Sequence, residues 1–580
     1  MTLTLIDWVV IVLYFAASLV IALAYSKRAS ASSEEFFLSG RSVPWWLAGT
    51  SMVATTFAAD TPLVVTGLTV KYGIAGNWIW WSMVMSGMLT VIFYARLWHR
   101  AGVMTDAEFA EIRYAGAPAR FLRAFRACYL GLAINSIIIG WVTAAMAKIL
   151  GLTLGLGKGE AVVALFVITA FYSTISGLWG VIVTDFFQFI FAMTGCIALA
   201  FFALNAVGGM SGLLAALHQR FPDDAPLALV PALDSAWMPA IAFFAYLAVN
   251  WWASWYPGAE PGGGGYVAQR IMSARSERDS LLAALWFNIA HYAIRPWPWI
   301  VVALVSMVLY PGLADPESGF VKVMVDLLPP FWRGFLLAAF FAAYMSTIST
   351  QLNWGASYLV NDVYRRFRAP GRSERHYANA GRVATVLVMA VSGVVTLYIG
   401  SVEGAWKFLL AIGAGTGLVY LLRWYWWRIN AWSEVSAMAS ALVVSLVAQG
   451  VFGLSADAPR DFAILLMLTT AITTVIWLAV TYLTPPESPQ VLRAFYARVR
   501  PGGPGWRAVE PTSARDARIG VGLVQWAMGC AVVYFGLFGI GGLVLGRTGQ
   551  GAAAVAVAIV LTWLLVRSTG ADRGESRVVS

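Results

Sequence analysis

Charge is what this chain has least of. Only 12% of its 580 residues are Asp, Glu, Lys or Arg, about half of what a soluble domain keeps to face water. So little polar surface over such a length excludes an aqueous globular protein. With 60% hydrophobic residues and a mean hydropathy of +0.73, lipid is the natural solvent. Cysteine is scarce too. Cys128, Cys196 and Cys530 all fall in apolar segments without pairing or metal-ligand spacing, which excludes a disulfide framework and a cysteine metal centre. Enzyme signatures are missing. The run Gly262 to Gly265 has neither a following Lys-Ser/Thr nor a preceding strand, so it is no phosphate loop. There is no nucleophile elbow, no His-Glu-x-x-His and no acidic metal pair. Nor is a cleaved leader expected. The apolar run Val9 to Tyr25 has no basic residue before it and Lys27-Arg28 after it, which fits an uncleaved first helix.

What the chain has in abundance is apolar windows of ~20 residues, the length a helix needs to cross the hydrocarbon core. Fifteen spans are expected, near 5–25, 44–70, 76–98, 121–149, 160–175, 178–206, 237–273, 279–310, 332–362, 379–400, 404–427, 431–452, 461–484, 518–546 and 551–567. The net charge of +10 sits in the short connections between them, the positive-inside pattern rather than a nucleic-acid surface. With the N-terminus outside, the cytoplasmic set takes Arg96 to Arg100 with Arg113, Arg120 and Arg123. It also takes Arg270 to Arg278, Arg365 to Arg382 and Arg493 to Arg507. The external segment 311–331 carries Asp315, Glu317 and Asp326 against Lys322 alone. A multi-pass protein of the cell inner (plasma) membrane with a cytoplasmic C-terminus follows. Its 27 Trp suit a membrane interface or a substrate wall.

Two spans are interrupted. The second carries Thr55-Thr56-Phe57-Ala58-Ala59-Asp60-Thr61-Pro62 at mid-depth, and the seventh carries Trp255-Tyr256-Pro257-Gly258-Ala259-Glu260-Pro261 before the four glycines. Proline removes a backbone donor and glycine tolerates non-helical dihedrals, so both helices should unwind there. Unwound backbone at membrane depth survives only where it lines a cavity or is buried in protein. Being five spans apart, the broken helices run in opposite directions, the signature of an inverted-repeat transporter.

Several motifs then resemble the solute:sodium symporter family, in order and on the expected spans. They are Phe37-Leu38-Ser39-Gly40-Arg41 and Pro44-Trp45-Trp46, then Ser176 to Gln188 with Thr184-Asp185. Ala342-Ala343-Tyr344-Met345-Ser346-Thr347-Ile348-Ser349-Thr350 follows, with Asn353 and Asn361-Asp362-Val363-Tyr364 behind it. The resemblance covers roughly residues 1 to 450. It implies an all-α polytopic protein of the LeuT type, with inverted five-helix repeats over 44–206 and 237–428. One extra helix lies in 1–43, and about four more helices with a short tail lie in 429–580. It implies sodium-coupled uptake of a small polar organic solute: amino acid, carboxylate or sugar. A membrane-embedded sensor or enzyme is the alternative. The expected partners are solute, sodium and lipid, in a monomer.

By matching position, the family's main sodium site resembles the carbonyls of Ala54, Phe57 and Ala343 with the hydroxyls of Ser346 and Thr347. A hard cation takes oxygen ligands, and an unwound helix exposes carbonyls. Alternatively these hydroxyls bond back to their own helices. A second sodium, as in some family members, would take Asp185, Ser346, Ser349 and Thr350. The other reading of Asp185 is an aspartate paired with a nearby arginine. Against the family's sugar carriers, Thr61 and Trp80 replace polar ligands, Asn250 is retained and His291 stands where a lysine is usual. Intramembrane ionisable groups are functional candidates by default, so the cavity is expected to gather Asp60, Glu260, His291 and Arg295 with Trp80 and Trp255. Each has a plainer role: Asp60 as a helix cap, Glu260 in a loop, His291 in packing, Arg295 snorkelling outward ahead of Pro296.

Overall fold

The computed structural model describes residues 3–29, 39–103, 105–173, 178–223, 225–234, 237–249, 262–513 and 519–571. These residues form helices and connections, with one isolated bridge and no longer strand among them. Among the described residues eleven helices are long and apolar enough to cross a membrane, or twelve when the bent pair of the second span counts as one. Each of the fifteen expected spans falls on helix where it is described. The first gives a shorter apolar helix, Leu5–Ile21, while the fifth is described over Lys158–Ser173 and the seventh over Ala240–Ala248 and Gly265–Ser273.

The second span breaks where its sequence predicts. Helix runs over Trp45–Thr56, resumes over Asp60–Tyr72, and turns by 62° between the two. The Phe57 amide folds back on the carbonyls of Val53 (2.9 Å) and Ala54 (3.0 Å), closing the first half. Pro62 lies in the first turn of the second half, where a missing N–H costs nothing.

The seventh span is described as helix over Ala240–Ala248 and again over Gly265–Ser273. Gly262 and Gly263 lead into the second piece with φ of 84° and 85°, a left-handed region that glycine enters without strain. That path lays the Gly262 carbonyl against Trp98, whose indole donates to it at 2.9 Å. The Gly265 amide then donates to Asp106 Oδ2 at 3.1 Å, so a carboxylate from a distant connection satisfies an opening N–H of the half-helix. The two broken spans also meet directly. Val43, just before one, donates to the Ser273 carbonyl at the end of the other and accepts from the Arg275 amide, both at 3.1 Å.

The eighth span is helical from Glu277 to Leu309 but widens by one residue over Ile289–Ile294, where the Arg295 amide reaches back five residues to Ala290 (3.2 Å). Pro296 follows at once. A proline ring crowds the carbonyl four residues earlier, and a widened turn relieves that clash. The same turn aims His291 and Arg295 at the break in the second span. The ninth span, Trp332–Ser357, packs against the first half of the second span and against the sixth span, Leu178–Ala206.

Candidate functional site

Where the ninth span crosses the break, Thr347 bridges the two. Its hydroxyl lies 3.1 Å from the Thr55 carbonyl and 2.9 Å from that of Ala343, one helical turn back. Both readings of this hydroxyl, back-bonding and facing the break, are therefore satisfied by one geometry. Ser346, beside it, donates to Asp185 Oδ1, which leaves its oxygen lone pairs available. Ala54, Phe57, Ala343, Ser346 and Thr347 are all buried. Every oxygen they bring is neutral. Carbonyls and hydroxyls of this kind are the ligands that a hard cation takes.

One layer away, Asp185 is fully buried and crowded with partners. Ser346 meets one oxygen, Ser51 Oγ donates to the other at 2.6 Å, and an Arg270 guanidinium nitrogen stands 3.9 Å off. Arg270 also reaches Ser51 (3.4 Å) and Gln269 (2.6 Å). Ser349 donates to the Ser346 carbonyl at 3.2 Å, while the buried Thr350 hydroxyl has no hydrogen-bond partner. Arg270, expected in a cytoplasmic connection, is instead only 1% exposed on the half-helix Gly265–Ser273. The arginine alternative for Asp185 is thus present in the fold.

The candidate solute residues converge on the break. Arg295 is 1% exposed and does not snorkel. It donates to the Val53 carbonyl (3.3 Å) and Thr56 Oγ1 (3.0 Å), and it lies over the Trp299 ring. His291 holds Thr56 Oγ1 through Nδ1 at 3.0 Å and meets Arg295 through Nε2 at 3.4 Å. The hydroxyl of Thr61 donates to the Thr56 carbonyl at 3.1 Å across the break. Trp80 stands edge-on to His291 and stacks on Tyr292, with its indole N–H given to Asn77. Asp60 opens the second half-helix, but its side chain makes no cap; Oδ2 accepts from Trp406 at 3.3 Å. Asn250, Trp255 and Glu260 lie outside the described residues.

Four contributors escaped the sequence. Thr56 is the hub of the Arg295–His291 contacts. Ser51 and Arg270 complete the Asp185 layer, and Trp406 serves Asp60. Arg270 was within reach, since Tyr266–Ser273 is apolar apart from Gln269, Arg270 and its last serine. Trp406, in an aromatic-rich chain, carried no signal of its own.

Residues 36–443 match the sodium:solute symporter family. The chain belongs to that family. It is 23% identical over 474 residues to the sodium/glucose cotransporter of Vibrio parahaemolyticus, covering 77% of this chain and 85% of that one. Over 476 residues it is 25% identical to sodium/glucose cotransporter 1 of Oryctolagus cuniculus, covering 73% and 69%. Among solved structures, a substrate-bound, outward-open Na+-coupled sialic acid symporter superposes with a TM-score of 0.66 at 19% identity, covering 84% of this chain and 99% of that one. The fold is therefore of the LeuT type. This family member is a multi-pass sodium-coupled symporter rather than an enzyme, and sodium is its coupling ion.

Proposed function

We propose that this symporter imports a small polar solute bearing a carboxylate, held at the break of the second span and driven by sodium bound one layer away. The observation that carries the reading is Arg295, a guanidinium buried at membrane depth on the Val53 carbonyl and Thr56 Oγ1. A buried cation of this kind stays favourable only with anionic or fully hydrogen-bonded company, and its planar fork matches a carboxylate. Asp60, Thr61, Trp80 and His291 complete the described part of the solute site, with Asn250, Trp255 and Glu260 assigned to it from the sequence. The main sodium site takes Ala54, Phe57, Ala343, Ser346 and Thr347. A second ion at Asp185, Ser346, Ser349 and Thr350 has to displace Arg270, so it binds more weakly than the first. The repeats 44–206 and 237–428 rock about these sites, with 1–43 and 429–580 as added helices, in a membrane orientation with the N-terminus outside and the C-terminus cytoplasmic.

A sugar is the second reading, favoured by relatives named for glucose, mannose and myo-inositol. The structural neighbour's solute, sialic acid, is an acid by name. A thermal-shift screen of carboxylates, amino acids and neutral sugars, run in sodium and in potassium, tests the proposal. Stabilisation by carboxylates in sodium alone supports it. Stabilisation by neutral sugars without any acid overturns it in favour of the sugar.

A further inference from the structure

Among the buried ionisable groups of the described core, Asp60 is short of partners. It is 1% exposed. One carboxylate oxygen accepts a long bond from the Trp406 indole at 3.3 Å, and the other, Oδ1, is buried with no hydrogen-bond partner. Its side chain does not cap the helix that it begins. A carboxylate taken out of water and left this bare is costly until a proton or a cation meets it. The Trp141 indole also faces it, and the charge of Arg295 reaches it from across the break. The walls on its side are aromatic, Trp406 set edge to face against Trp141 at 6.5 Å, and indole faces favour a cation. Arg295 belongs to the other side of the break, fixed on Val53 and Thr56. Opposite charges therefore flank the interval Phe57–Ala59.

We infer that Asp60 receives a cationic nitrogen of the solute. The solute is then a zwitterion, its carboxylate toward Arg295 and its ammonium toward Asp60, within an α-amino acid or a close analogue. The inference rests on the carboxylate reading of Arg295. An ammonium group brings three donors and a full charge, enough to serve Oδ1 and to share Oδ2 with Trp406. The main sodium layer, made of neutral oxygens, is separate from it.

Matched pairs that differ only at that nitrogen give the test: alanine with lactate, serine with glycerate, phenylalanine with phenyllactate. Affinities are read on the full-length carrier at saturating sodium, by thermal shift and by competition for whichever amino acid binds. Wild-type protein should prefer the amino acid to its hydroxy acid by on the order of 10- to 100-fold, the worth of a charged hydrogen bond. Asp60→Asn should bring that ratio to about one, because a carboxamide no longer distinguishes an ammonium from a hydroxyl by charge. The wild-type ratio stands as the measurement should Asp60→Asn not fold. Equal binding of both partners overturns the zwitterion and leaves the carboxylate reading intact. Binding of neither, with neutral sugars bound instead, overturns both. An Asp60→Asn carrier that keeps its amino-acid preference but binds less sodium returns Asp60 to the ion.

Discussion

Asp60 and Asp185 are both carboxylates buried in the membrane part of the bundle, and they are satisfied very differently. Asp185 has Ser51, Ser346 and the Arg270 guanidinium around it. Asp60 has one indole at 3.3 Å, Trp141 and the charge of Arg295 farther off, and an oxygen without a hydrogen bond. The partnered acid ties together four helical segments, those holding Ser51, Asp185, Arg270 and Ser346. The other joins its half-helix only to the indole of Trp406. A buried charge of the second kind calls for something beyond the fold's own side chains to complete it, so the contrast separates a carboxylate that organises the core from one proposed to wait for cargo.

Stability should show the contrast most strongly. Asp185→Asn leaves the Arg270 guanidinium buried without its counter-charge, which costs about 3–5 kcal/mol. Asp60→Asn deletes a charge offset only by the more distant Arg295 and two indoles, and it should change stability by less than about 1 kcal/mol. Unfolding followed in micelles by intrinsic fluorescence compares the two. Equal losses would erase the distinction. In carriers that survive, Asp185→Asn should also bring the sodium Hill coefficient from about two toward about one.

The next effect is on solute binding. Arg295→Lys keeps the charge but loses the planar fork, and solute affinity at saturating sodium should fall on the order of 10- to 100-fold. Sodium binding should stay as it was. Arg295→Ala should fall further, and equal affinities in the two variants would remove Arg295 from the solute site. Smaller again is the neutral layer. Ser346→Ala and Thr347→Ala each remove one oxygen proposed to hold the ion from a helix that alanine suits well, and each should raise the sodium concentration for half-maximal uptake about tenfold with expression preserved. Wild-type sodium dependence in both would leave these hydroxyls as packing groups.

Much of this was legible in the chain. The break at Thr55–Pro62 announced itself through Pro62 and a charged Asp60 inside an apolar window, because backbone chemistry is local. His291 and Arg295 were legible for a similar reason, as ionisable groups too costly to place at depth without a use. Partnership was not legible. Nothing in the residues around Asp185 says that Arg270 lies beside it, since the two are brought together by helices far apart in sequence. Counting Arg270 with Arg275 and Arg278 put it in solvent. Trp406 was hidden in the same way, one indole among 27, made specific only by the packing that turns its N–H to Asp60. Thr56 was visible as part of the break, but its role as the acceptor for Arg295 depends on the widened turn at Ile289–Ile294, whose cause, Pro296, acts backward along the helix.

The smallest expected effect belongs to Thr350, and it sharpens the comparison within a single layer. Its hydroxyl is buried one turn along the helix from Ser346, yet it has no hydrogen-bond partner of its own. Removing a bonded buried hydroxyl costs stability, whereas removing an unbonded one relieves a desolvated group. Thr350→Ala should therefore leave the unfolding free energy within about 0.5 kcal/mol of wild type in the absence of sodium. With sodium present, only the weaker phase of the titration should suffer, because the main set of Ala54, Phe57, Ala343, Ser346 and Thr347 is untouched. A loss above about 1 kcal/mol without sodium would mean that Thr350 supports the fold. An unchanged titration together with unchanged stability would take it out of the ion's reach and leave Asp185 with Arg270 as its only cation.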